Sequence, residues 1–212
     1  MSKTIIFVHG WGFDAGVWDP LRAHMPDIPA ITIELGFRNA PESLPETPPG
    51  EIIAVGHSLG FLWLLKTKPF TWDKLVAING FSKFLAADDF PSGLDARILQ
   101  AMMEQCQKDA PAVLADFFKA NGHDEKIEKL NQDRLVKGLE WLRDWDMRSE
   151  LKNNQTPLLA LAGKTDPISP PSLTEASFTG LKDSRLVWHD DSHLLPLSAP
   201  AWCADHIQEF IQ

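Results

Sequence analysis

Cysteine, positive charge and long apolar runs are all scarce in this chain, and each scarcity excludes something. Cys106 and Cys203 are its only cysteines. Two are too few for a disulfide framework and read as thiols in a reducing compartment. Asp and Glu outnumber Lys and Arg by 29 to 20, a formal charge of −9 at pH 7. An excess of that sign argues against wholesale binding to nucleic acid or to an anionic membrane. No stretch approaches the roughly 18 apolar residues of a membrane span. The run Ile5, Ile6, Phe7, Val8 is too short for a signal-peptide core, so a soluble cytoplasmic protein is expected. The seven histidines are scattered and no group has metal-ligand spacing, so neither a metal nor an organic cofactor is expected. Internal repeats and low-complexity tracts are absent as well.

What is present suits one globular domain. The 212 residues are 44% hydrophobic, enough for a single core without staples. Six short apolar runs, at 4–8, 30–35, 51–55, 74–79, 157–162 and 185–188, read as strands. Continuous rather than alternating hydrophobicity marks strands covered on both faces, as parallel strands are. Helical patterns at 18–24, 61–66 and 201–211 lie among them, which predicts an α/β fold with a mainly parallel sheet flanked by helices. Residues 38–50 are too rich in proline for a regular helix and read as a surface connector. Residues 82–150 carry helical patterns at 94–106, 112–119 and 125–145 and no convincing strand. The predicted division is therefore a core of 1–81 and 151–212, with 82–150 as a helical lid inserted after the fourth strand.

The third run stops at Gly56-His57-Ser58-Leu59-Gly60. Gly-x-Ser-x-Gly between a strand and a helix is a nucleophile elbow, a tight strained turn that lifts the serine to the carboxyl edge of the sheet. The two glycines remove side chains that would clash in the turn. Serine needs a base, and the base needs a carboxylate to orient it. In α/β-hydrolases these follow in the order Ser, Asp/Glu, His. The turn after the fifth run carries Asp166, and the loop after the sixth carries His193. His189 competes as base, and Asp190 and Asp191 compete as acid. His193 is favoured because its longer loop can curl back over the serine; Asp166 is favoured by its strand-end position. His57 reads as structural, pointing away from the nucleophile.

After the first run comes His9-Gly10-Trp11-Gly12. An oxyanion hole takes one N–H from the residue after the nucleophile and one from this loop. Leu59 and Trp11 are the candidates, with glycines beside Trp11 allowing close backbone approach. His9 is expected to brace the loop. Trp141 and Trp145 stand four apart and share a helix face, which either packs in the core or forms an apolar wall for an acyl chain. Lys126, Lys129, Arg134 and Lys137 recur at spacings that permit a partly basic helix face. Glu125, Glu128 and Asp133, interleaved with them, leave an ordinary solvated helix as the alternative.

With these motifs in order, the chain resembles the α/β-hydrolase superfamily. More narrowly, "HGWGFDAGVWDPL", "GLEWLRDWDMRSELKNNQTPLLALAGKTDPISP" and "ADFFKANG" resemble the BioH-type pimeloyl-acyl carrier protein methyl ester esterases of biotin synthesis. The resemblance implies hydrolysis of a methyl ester on a carrier-bound dicarboxylate, with acyl carrier protein as partner. It implies Ser58, Asp166 and His193 as the triad and Trp11 and Leu59 beside the reacting ester. It further implies substrate contacts from Phe117 and Asn121. The proline-rich connector, and Phe61 where that family often has a third glycine, depart from its pattern. A general short-acyl carboxylesterase or thioesterase uses the same triad. A non-catalytic binding module on the same fold would need none of these residues.

Overall fold

The structure, a computed structural model, describes residues 2–212. All six apolar runs form strands: β1 (Lys3–Val8), β2 (Ala30–Ile33), β3 (Glu51–His57), β4 (Lys74–Ile78), β5 (Leu158–Gly163) and β6 (Ser184–His189). They make one sheet in the order β2-β1-β3-β4-β5-β6, every pair parallel. The four central strands are almost wholly buried, while the edge strands β2 and β6 are mostly half-buried. That division matches the sequence runs. Strands with helices on both faces need apolar residues at every position, and edge strands do not.

A 3₁₀ turn (Ala15–Trp18) and α1 (Asp19–Arg22) follow β1, where the sequence predicts one helix at 18–24. Pro20 sits in the first turn of α1, where its missing N–H costs no hydrogen bond. The remaining helices are α2 (Leu59–Thr67), α3 (Ala96–Lys108), α4 (Ala110–Ala120), α5 (Gln132–Asp144), α6 (Arg148–Lys152), α7 (Pro171–Phe178), α8 (Leu195–Ser198) and α9 (Pro200–Ile211). Helix α2 packs on β1, β3 and β4; α9 packs on β5 and α1. Between β4 and β5 lie α3 to α6, with α3 packed against both α4 and α5. No helix of the described residues is long and apolar enough to cross a membrane.

The predicted helix 125–145 requires correction. It begins at Gln132, not Glu125. Asn131 caps it by accepting the Arg134 N–H, and the Asn131 N–H is donated to the Phe37 carbonyl. The chain before Asn131 runs beside the connector instead, through an Arg38–Leu130 antiparallel bridge and the Asn39 N–H on the Lys129 carbonyl. Long-range pairing has replaced helix there. The basic face drawn from Lys126, Lys129, Arg134 and Lys137 therefore does not form. Lys126 pairs with Glu128 off the helix. Arg134 turns to the Leu35 carbonyl and Glu42, and Lys137 pairs with Glu140.

Candidate active site

Ser58 stands between the end of β3 and the start of α2, with φ 53° and ψ −123°. Few residues other than glycine occupy that region, so the position is held by its surroundings. Its N–H is donated to the Ile78 carbonyl at 3.0 Å, and its carbonyl accepts the Phe61 N–H at 3.0 Å. The flanking glycines are required by space. A Cβ on Gly56 would lie 2.4 Å from Phe61 Cα, and one on Gly60 would lie 2.2 Å from the Val8 carbonyl oxygen. Any side chain at either position would push α2 away from the sheet.

Asp166, His193 and Ser58 come together at the carboxyl edge of the sheet. His193 Nδ1–H donates to Asp166 Oδ2 at 2.8 Å, which leaves Nε2 as the acceptor for the Ser58 hydroxyl at 3.0 Å. All three residues are buried. Asp166 takes further donors from its own turn: the Ile168 and Ser169 N–H groups reach Oδ1, both at 2.8 Å. The Ser169 hydroxyl reaches Oδ2 at 2.6 Å and Asn79 Nδ2 reaches it at 2.8 Å. Burial alone would raise this carboxyl's pKa. The neighbouring His193 and the hydrogen bonds from His193 and Ser169 outweigh it, holding the group below its ordinary value and ionised.

Ser58 opens onto a cavity of about 100 Å³. Trp11, Phe81 and Phe84 form part of its wall; Phe117, Leu139 and Leu142, from the helices between β4 and β5, form another part. No ionisable side chain lines it among the described residues. A larger open groove of about 570 Å³, bordered by Lys68, Trp72 and Glu150, contains none of the three polar residues. Among the described residues, no group of His, Cys, Asp and Glu could hold a metal ion.

The structure superposes on that of an esterase from Exiguobacterium antarcticum with a TM-score of 0.84 at 17% identity, over 99% of this chain and 92% of that one. The fold is that of an α/β-hydrolase. No protein-family model matches the chain. In sequence, the chain is similar to the pimeloyl-[acyl-carrier protein] methyl ester esterase of Legionella pneumophila (strain Corby). The two are 27% identical over all of this chain and 96% of the relative. The protein of that name from Aromatoleum aromaticum is 28% identical, over 98% of each chain. The chain thus resembles the BioH-type esterases over essentially their whole length.

The competing residues are elsewhere. His189 ends β6 and packs on Trp202, with ring centroids 4.7 Å apart. Asp190 pairs with Lys164 at the surface, and Asp191 accepts the Ser192 N–H. His9 braces its loop: Nδ1–H donates to the Gly10 carbonyl and Nε2 accepts the Leu35 N–H. Phe117 reaches the cavity, but Asn121 does not. Its amide caps α4 on the Phe117 carbonyl at 2.7 Å. Trp141 and Trp145 also miss the cavity, contrary to the apolar-wall expectation. They do share a face, stacked 5.0 Å apart at 14°, but Trp141 lies against Phe37 and under Arg134. Helix α5 turns Leu139 and Leu142 to the cavity instead. Asn79 and Ser169 are the residues the sequence reading missed. Asn79, just after a strand and before Gly80, and Ser169, three residues after Asp166 in a proline-flanked turn, were the available signals.

Proposed function

We propose that this protein is a serine hydrolase of carboxylic esters that works through an acyl-enzyme on Ser58. The continuous chain from Asp166 through His193 to Ser58, with links of 2.8 and 3.0 Å at the edge of an apolar cavity, carries this reading. Ser58 Oγ attacks the ester carbonyl carbon while His193 Nε2 takes the hydroxyl proton. The tetrahedral centre collapses and the alkoxide departs with that proton, leaving acyl-Ser58. Water then adds to the acyl carbon as His193 takes its proton; Ser58 Oγ leaves, regains a proton, and the acid is released. Asp166 fixes the imidazole tautomer and stabilises its charged form. The Trp11 and Leu59 N–H groups receive the oxyanion. Leu59 is the first residue of α2, so its N–H is one of the unpaired donors of a helix start.

The helices of 82–150 act as the lid, and Phe117 with its apolar neighbours takes an uncharged acyl chain. The full-length likeness to esterases named for pimeloyl-acyl carrier protein methyl ester supports the finer proposal that a carrier-bound methyl ester is the substrate. The test compares carrier-bound pimeloyl methyl ester, the corresponding free methyl esters and thioesters, with Ser58→Ala as control. Ser58-dependent methanol release, with kcat/KM higher for the carrier-bound ester, is expected. Equal or better turnover of free esters or thioesters makes the protein a general short-acyl esterase or thioesterase. If a fluorophosphonate leaves Ser58 unlabelled in the folded protein, the non-catalytic module stands.

A further inference from the structure

Two buried residues outside the triad, at the ends of neighbouring strands, reach the loop that carries His193. We infer that His57 and Asn79 are positioning residues that clamp the consecutive carbonyls of Ser192 and His193 and so hold the imidazole between Asp166 and Ser58. The inference rests on the reading of Ser58, His193 and Asp166 as a catalytic triad.

His57 is the last residue of β3 and pairs with Ile78, the last of β4; Asn79 is the next residue along. His57 Nε2–H donates to the His193 carbonyl at 2.9 Å. Asn79 Nδ2 donates to Asp166 Oδ2 at 2.8 Å and to the Ser192 carbonyl at 3.3 Å. One amide thus ties the acid to the loop of the base. Earlier in that loop the carbonyls are held by main chain: His189 by the Lys164 N–H and Asp191 by the Thr165 N–H. Gly163 permits this docking, because a Cβ there would lie 2.4 Å from the Asp191 oxygen and 2.3 Å from the Ser192 oxygen. The last two carbonyls, nearest the imidazole, are the ones held by side chains.

Each clamp residue uses one end and leaves the other idle. His57 Nδ1 and Asn79 Oδ1 are both buried without a hydrogen-bond partner. Idle buried polar atoms are costly, and apolar side chains would fill the same space without that cost. What the polar residues add is the hydrogen bond to the loop. Burial first, and the neighbouring His193 second, push the His57 pKa down to about 3. The ring therefore stays neutral as His193 takes up its proton, and its single N–H remains committed to the carbonyl. Asn79 adopts φ 48°, a left-handed conformation that asparagine tolerates better than most residues.

The test substitutes His57 in two ways. His57→Gln keeps an N–H donor near the Nε2 position, whereas His57→Leu keeps bulk and apolarity. A misplacement on the 1 Å scale costs about 10²-fold in rate. His57→Leu should therefore lower kcat on a small ester by about that factor with KM nearly unchanged, while His57→Gln recovers most of it. A packing role predicts the reverse order. Full activity in folded His57→Leu, or a folded His57→Gln no better than it, would overturn the clamp. If either variant fails to fold, ¹⁵N-histidine NMR of the wild type decides. The clamp requires His57 as the Nε2–H tautomer with a slowly exchanging proton; the Nδ1–H tautomer or a rapidly exchanging proton overturns it. Failure of the triad reading looks different: the wild type itself would show no Ser58-dependent turnover.

Discussion

Replacing Ser58 by glycine and by alanine separates the nucleophile's chemistry from the strain of its backbone. Both changes remove the hydroxyl and its hydrogen bond to His193, so that loss cancels in the comparison. What remains is φ 53°, ψ −123° at this position. An L-residue held in so sparsely populated a region costs about 1–3 kcal/mol, and glycine does not carry that cost. Against this, glycine's freer unfolded chain costs about 0.4–1 kcal/mol. Removing a nearly buried Cβ costs up to about 0.8 kcal/mol more. The balance favours glycine over alanine by about 1 kcal/mol. For a domain of 212 residues that is a Tm difference of roughly 2–4 °C. Urea unfolding at neutral pH measures it directly, as a shift in midpoint at a shared slope. Both variants should lose on the order of 10⁶ in kcat. An alanine variant more stable than the glycine variant by about 1 kcal/mol would refute the strain argument, because the two terms that oppose glycine would then act alone.

His193→Ala should lower kcat by nearly as much as loss of the serine, on the order of 10⁶, while His189→Ala keeps most activity; a reversed result moves the base to the end of β6. Asp166→Asn should fold and lose about 10⁴ in kcat through the wrong imidazole tautomer, and near-normal turnover would redirect attention to Asp190 or Asp191. Phe117→Ala should lower kcat/KM for apolar acyl esters by roughly tenfold, as loss of one buried aromatic contact does. Trp145→Ala should leave kcat/KM unchanged, and equal effects would put the acyl chain elsewhere. Acid should destabilise the protein through His57. Its pKa is about 3 when folded and about 6.5 when unfolded, so across that window the unfolded chain binds the extra proton. Stability then falls by about 1.4 kcal/mol for each pH unit lost from this group. Urea titrations at pH 7 and pH 5 should show a smaller acid loss in His57→Gln than in the wild type, and parallel losses would contradict the burial of a neutral ring.

The sheet was legible because its signal is local and repeated. Each central strand is apolar at nearly every position, and burial on both faces makes that necessary. The same local reading failed at 125–131. That stretch is polar enough for an exposed helix, but Asn131 caps the following helix and the backbone before it pairs with the connector at Arg38 and Asn39. Its partner lies some ninety residues earlier, and no short-range pattern reports it.

The candidate site divides along the same line. Ser58, Asp166 and His193 could be singled out as candidates because each follows a strand whose end is visible in sequence, and a parallel sheet brings all strand ends to one edge. The tryptophan pair was half legible: a spacing of four gives a common face, and the rings do stack. Which way that face turns depends on what else the helix must bury, and Leu139 and Leu142 take the side toward Ser58. His57 and Asn79 were the hardest to read. Their significance lies in contacts with carbonyl groups of Ser192 and His193, and a carbonyl is present at every residue and marks none. A sequence can announce a nucleophile by the glycines around it. It has no comparable mark for a side chain whose partner is main chain on another loop, so such residues emerge only when the hydrogen bonds of the assembled site are traced one by one.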